Sequence, residues 1–172
     1  MLKYFLTLIG VVFFSIFGHS QEKNISVYYF LLEDCVICQS YTPLINELYE
    51  TYKDDYEFIG FFPNFRSKSH AIKSFAEKYG IQFELKTDYF QTQTDAYGIE
   101  ITPEVVVVNQ ITDEVLYQGR IDDEFIEIGR RKSVVSNHDL KNALREIKNG
   151  KPVSIPRTEA VGCIIQKKKL KN

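Results

Sequence analysis

Three cysteines carry the most chemistry in this sequence, and two of them stand two residues apart in Asp34-Cys35-Val36-Ile37-Cys38-Gln39. A pair at that spacing can pass between dithiol and disulfide, supply half of a zinc site, or form an inert structural disulfide. The flanking sequence favours the first. Ile25-Ser26-Val27-Tyr28-Tyr29-Phe30-Leu31-Leu32 is an unbroken β-branched and aromatic run, the pattern of a strand buried on both faces. Beyond the cysteines, Leu44, Ile45, Leu48 and Tyr52 fall on one face of a helix expected from about Gln39 to Lys53. The pair therefore sits at a helix N-terminus, where unpaired N–H groups and the helix dipole favour a thiolate. Cys35 is the expected nucleophile, and Cys38, one turn further in, the resolving thiol. Asp34 can cap the helix through its carboxylate, while its charge beside Cys35 opposes thiolate formation.

The rest of the chain must position that pair. Its 172 residues are 44% hydrophobic, enough for one domain with a substantial core. Met1 to Ser20 has a single charge, Lys3, an apolar run from Tyr4 to Phe17, and Gly18-His19-Ser20 before polar sequence. This is the pattern of a signal peptide cut after Ser20, so the protein is expected to be exported, periplasmic or secreted. The apolar run is shorter than the ~20 residues that a membrane span needs. Cleavage removes one lysine and no acid, moving the net charge from −2 to −3. A mildly acidic chain is not suited to nucleic acid. Outside the cytosol, a dithiol rests as a disulfide unless a dedicated partner reduces it.

Tyr56 to Phe62 reads as a second strand, closed by Pro63-Asn64. Ser67 or Ser69 should cap a helix with Ala71, Ile72, Phe75, Ala76 and Tyr79 on its buried face and Gly80 at its end. Phe83 to Lys86 is a short strand, and Thr87-Asp88 starts a turn or helix that Gly98 ends. Thr102-Pro103 then opens the buried run Glu104-Val105-Val106-Val107-Val108, which a turn joins to Glu114–Arg120 as a hairpin. The long loop from Ile121 to Val135 contains Asp122-Asp123, read as a solvated turn or, secondarily, a cation site. His70 and His138 read as helix surface or cap residues. A last helix opens at Ser136-Asn137-His138-Asp139, lines its buried face with Leu140, Ala143, Leu144 and Ile147, and ends at Asn149-Gly150.

Strand, C-x-x-C, helix and a later Thr-Pro opening a buried strand together resemble the thioredoxin fold, specifically its redoxin branch of exported thiol-disulfide oxidoreductases and peroxiredoxin-like proteins. The resemblance covers about Ile25 to Ile147. It implies an α/β fold with a central mixed β-sheet flanked by helices, a redoxin-type insertion and an irregular C-terminal extension. The division is then a signal peptide over 1–20, a redoxin domain over 21–150 and an extension over 151–172 that carries Cys163 and a basic tail. It further implies a cis peptide bond at Pro103, packed against the cysteine motif. Thr102, Pro103, Val36 and Ile37 would contact the substrate chain.

Two departures narrow the activity. Where the peroxidase form has a threonine and proline upstream of its reactive cysteine, this chain has Phe30-Leu31-Leu32-Glu33-Asp34, so thiol peroxidase activity is not expected. Related copper-delivery proteins space their cysteines by three residues and add a distal histidine, whereas this chain has a two-residue gap and, after cleavage, only His70 and His138. Late in the sequence, Gly162-Cys163-Ile164-Ile165 resembles the end of a peroxiredoxin-like subgroup whose C-terminal cysteine accompanies the C-x-x-C. Cys163 is the matching residue here, and the extended tail is expected to wrap back across the sheet and bring it near Cys35 and Cys38, as a second resolving thiol or a ligand with them to Cu(I); the alternative is a buried or intermolecular cysteine. The expected function is an exported thiol-disulfide oxidoreductase without cofactor. It would exchange with protein or small thiol substrates and be recharged by a redox partner. The alternatives are a Cu(I)-handling module using Cys35, Cys38 and Cys163, or a scaffold with a permanent disulfide.

Overall fold

The computed structural model describes residues 23–167. The signal-peptide reading of 1–20 and most of the basic tail lie outside those residues. Five strands form the central sheet: β1 (Ile25–Phe30), β2 (Glu57–Phe62), β3 (Glu84–Thr87), β5 (Glu104–Asn109) and β6 (Glu114–Gly119), in the order β3-β2-β1-β5-β6. β1 runs parallel to β2 and β2 parallel to β3, while β1–β5 and β5–β6 are antiparallel. The sheet is mixed, as expected. Helices α1 (Val36–Tyr52), α2 (Ser69–Tyr79), the short α3 (Thr92–Ala96) and α4 (Asp139–Lys148) accompany it. Two-residue β4 (Ile101–Thr102) pairs with β9 (Cys163–Ile164), and β7 (Phe125–Glu127) with β8 (Arg130–Arg131). Among the described residues no helix is long and apolar enough to cross a membrane.

Alternation along the strands divides the core in two. Val105 and Val107 face one cluster with Val27 and Tyr29, covered by Ile37, Ile45 and Leu48 of α1, Ile72 and Phe75 of α2, and Leu140 and Leu144 of α4. Val106 and Val108 face a second with Phe30, Ile59 and Phe61, where Ile99 and the tail residue Ile165 fill the space.

Several boundaries differ from the sequence reading for local reasons. α1 begins at Val36, three residues earlier than periodicity suggests, because the first turn belongs to the cysteine motif. Pro43 lies inside it and cannot donate to the Gln39 carbonyl one turn back, and the Thr42 hydroxyl donates to that carbonyl instead at 2.8 Å. Neither Ser67 nor Ser69 caps α2; its N-cap is Lys68, and the Ser67 hydroxyl donates to the Glu33 carboxylate at 2.6 Å. Gly80 does end α2, at φ 68°.

The Asp122-Asp123 segment is neither a solvated turn nor a cation site. Both residues are buried. Asp122 accepts from the Tyr41 hydroxyl and the Glu124 N–H, whereas Asp123 accepts from the N–H groups of Ser136 and Asn137, the Asn137 amide and Lys132. Burial opposes the charge on Asp123, but these donors outweigh it and hold the carboxyl well below its usual range. Because Asp123 occupies the Ser136 and Asn137 N–H groups, α4 begins later, with His138 as N-cap, and the buried Asp139 pairs with Arg120 at 2.7 Å.

Candidate functional site

Cys35 is the N-cap of α1, in an extended conformation, with no side-chain cap bond; its carbonyl accepts the helix bond from the Gln39 N–H at 3.0 Å. Asp34 therefore does not cap the helix. It lies exposed in the preceding turn, and its charge acts on the neighbouring thiol Cys38, where it disfavours the thiolate. Val36, the first residue of the helix, is 64% exposed and borders the site. Ile37 points into the core at 1% exposure and has no surface to offer a substrate, contrary to the role that the resemblance implied.

Thr102-Pro103 is the cis peptide bond that the resemblance implied. It lies between β4 and β5, and the Thr102 carbonyl oxygen is 3.6 Å from Cys35 Sγ. The edge of β4 expected to receive a substrate is taken by the protein's own tail. Thr102 registers with Cys163 and Ile101 with Ile164 in an antiparallel pair, and the Ile165 N–H donates to the Glu100 carbonyl at 3.0 Å. The tail arrives by way of a second edge contact, where Gln118 of β6 donates to the Pro156 carbonyl and receives the Thr158 N–H at its own.

Register places Cys163 against Cys35, and the two form a disulfide with Cα atoms 6.1 Å apart across 128 residues of sequence. The bond anticipated between Cys35 and Cys38 is thus Cys35–Cys163. Gly162 makes the approach possible, because any Cβ there would run into the Thr102 carbonyl. Cys163 itself is half-buried, and Ile164 beside it is 77% exposed.

Cys38 stays a free thiol, fully buried beneath the disulfide. The Leu32 N–H approaches its sulfur at 3.4 Å. Burial pushes this thiol up to about 12; bonds from Leu32 and the Thr102 side chain oppose that rise without cancelling it. At pH 7 such a group is ionised in only about one molecule in 10⁵. The burial that makes Cys38 part of the core thus makes it a slow nucleophile. With two sulfurs bonded to each other, the Cys35, Cys38 and Cys163 trio is not a set of three thiolate ligands in this state, and among the described residues no group of three His, Cys, Asp or Glu is placed to hold a metal.

The sequence reading missed three supports of the site. Gln91 donates to the carbonyls of Pro63 and Gln166, Asp95 pairs with Lys167 at 2.7 Å, and Gln118 bonds both the Tyr97 carbonyl and the Glu104 carboxylate. Glu104 directly follows the cis-proline and is half-buried, which raises its pKa despite the Gln118 bond. None of these side chains belongs to a recognisable spacing. Gly162 could have been found, since a glycine beside a cysteine in an apolar segment marks a close backbone approach.

The sheet order, the cis-proline and the helix-capping cysteine make this a thioredoxin-like fold, and residues 16–117 match the model of the AhpC/TSA family. The chain belongs to that family. The match ends at Tyr117, so the AhpC/TSA pattern covers Cys35, Cys38 and Pro103 but does not reach Cys163. Among solved structures, an uncharacterised conserved protein of Geobacillus kaustophilus is similar at TM-score 0.74 and 21% identity, covering 87% of this chain and 80% of its own. A hypothetical protein of Sinorhizobium meliloti 1021 follows at TM-score 0.72 and 19% identity, covering 83% and 79%. The thioredoxin domain of a thiol-disulfide oxidoreductase from Bacteroides vulgatus is similar at TM-score 0.54 and 15% identity, covering 73% and 79%. At these identities the likeness is one of fold. No curated protein matches the chain.

Proposed function

We propose that this AhpC/TSA family member is an exported thiol-disulfide oxidoreductase whose exchange centre is Cys35. The observation that carries the reading is the disulfide from Cys35, at the N-terminus of α1, to Cys163, beside the cis bond of Thr102-Pro103. The unpaired N–H groups of the first helical turn stabilise a thiolate on Cys35 once the bond opens. In the reduced protein that thiolate attacks a substrate disulfide, forming a mixed disulfide and releasing one substrate thiolate. Cys163, held in register by β4, then attacks Cys35 Sγ, releases the second substrate thiolate and restores the Cys35–Cys163 bond. Cys38 is too deeply buried and too weakly ionised to compete for this step. Metal handling finds no comparable support in the geometry.

The rival reading is a permanent staple, favoured by the 2% exposure of Cys35 and by the long loop that the bond closes, worth roughly 5 kcal/mol on a chain-entropy model. Titrating the purified protein against dithiothreitol redox buffers separates the two. The oxidoreductase reading expects a reversible two-electron couple, and at least a thousandfold loss of exchange with a disulfide substrate in Cys35→Ser. A bond that survives millimolar dithiothreitol in the folded protein would leave only the staple.

A further inference from the structure

The three sulfurs differ in what can reach them. Cys38 has no exposed surface, Cys35 is 2% exposed, and Cys163 is half-buried on a two-residue strand whose other neighbour, Ile164, is 77% exposed. Thiol-disulfide exchange needs the attacking sulfur in line behind the sulfur it attacks. In the oxidised protein the more exposed residue of the bonded pair is on the tail side, while the Thr102 carbonyl, Leu32 and Cys38 pack around Cys35. The leaving group points the same way. Exchange runs faster when the expelled sulfur is the better thiolate, and the helix N-terminus belongs to Cys35, whereas Cys163 lies on a strand.

We infer that Cys163 is the entry sulfur, the atom at which an external dithiol donor delivers electrons to the oxidised protein, with Cys35 as the internal leaving group. The inference rests on the redox reading above and reverses the usual division of labour in a C-x-x-C site, where the first cysteine of the motif meets the outside. One donor thiolate attacks Cys163 Sγ. The Cys35–Cys163 bond breaks, and its electron pair leaves on Cys35 as a thiolate at the start of α1. The donor's second thiol then attacks the donor sulfur of the mixed disulfide, closes the donor's own disulfide and releases Cys163, which takes up a proton. Two electrons have moved from donor to protein, and Cys38 has taken no part.

Glutathione, a monothiol, tests this because it halts at the mixed disulfide. The oxidised protein is exposed to glutathione and trapped at successive early times with a large excess of N-ethylmaleimide in denaturant at neutral pH. Peptide mass spectrometry then shows which cysteine carries glutathione and which is alkylated. Extrapolated to zero time, glutathione should lie on Cys163 in at least tenfold excess over Cys35, with Cys35 alkylated, and Cys38→Ala should give the same distribution. Glutathione on Cys35 in equal or greater amount overturns the inference and leaves the oxidoreductase standing. So does the lack of any adduct on Cys163 when dithiothreitol opens the bond. A bond that neither thiol opens overturns both.

Discussion

The two faces of the central sheet are covered in very different ways. On one, three helices bury a continuous layer from Ile37 to Leu144. On the other, Phe30, Ile59, Phe61, Val106 and Val108 are covered by the Tyr97–Ile99 segment and by one tail residue, Ile165, itself 3% exposed. The disulfide joins the two: Cys35 belongs to a helix of the thick face and Cys163 to the strap that closes the thin one. The thick face fixes one sulfur in a rigid frame. The tail holds the other through two register pairs, a few hydrogen bonds, Ile165 inserted into the thin face, and Val153, Val161 and Cys163 partly buried against the helix-side cluster, so the part that chemistry must reach is held by less packing than the helices are.

Truncating one residue on each face should separate them most clearly. Leu144→Ala and Ile165→Ala each remove a buried aliphatic side chain, an effect of about 2–5 kcal/mol. On the thick face the loss should appear as a lower global melting temperature with the tail still protected. On the thin face it should appear as cleavage of the segment 151–167 in limited proteolysis of the reduced protein, well below the melting transition. A tail that stays protected in reduced Ile165→Ala would mean the two faces form one cooperative unit.

Gly162→Ala probes the same boundary with a smaller effect. The added methyl group meets the Thr102 carbonyl, which is backbone and cannot rotate away, so the strand must shift by a clash of about 1–3 kcal/mol. That strain falls on the bonded state. The equilibrium for forming Cys35–Cys163 against glutathione should drop by about five- to 150-fold, because the reduced tail can relieve the clash by lifting from β4, whereas the disulfide holds it there. An unchanged equilibrium would show that Gly162 does not set the approach.

The thick face was the legible one. Its helices are announced by the periodicity of Leu44, Ile45, Leu48 and Tyr52, and the strands under both faces by runs such as Val105–Val108, because burial on a regular element imposes a repeat on the sequence. The cover of the thin face carries no repeat. Ile165 is one apolar residue in an irregular tail, and what docks it is backbone register with Ile101 and Thr102, which leaves no mark in side-chain type. The C-x-x-C spacing located the nucleophile yet pointed to the wrong bonding partner, since spacing reports nearness along the helix and says nothing of a strand arriving from 128 residues away. Asp122-Asp123 misled for a related reason: paired acids read as a solvent or cation feature, and their donors come from Tyr41, Lys132 and the start of α4, all separated in sequence.

The smallest effect concerns Cys38, the thick-face thiol that the spacing favoured as a resolving group. Its thiolate at pH 7 is about 10³-fold scarcer than that of an ordinary cysteine, and the greater nucleophilicity of a more basic sulfur recovers only part of this, leaving a deficit of roughly 30- to 60-fold. Cys38→Ala should therefore change the exchange rate by less than about threefold. Its signature lies instead in alkaline stability. The thiol is neutral in the folded protein up to about 12, whereas in the unfolded chain it ionises from about 9, so its contribution is complete below pH 9 and is lost as pH rises from there toward 12. At pH 10 the loss is about 1.4 kcal/mol, and the buried tyrosines, which in the unfolded chain begin to ionise over the same interval, add a loss that Cys38→Ala retains. Between pH 9 and 10, denaturant midpoints should therefore fall more steeply for the parent than for Cys38→Ala. If instead the variant loses exchange activity a hundredfold, Cys38 is a resolving thiol after all, and the thick face must open during turnover to expose it.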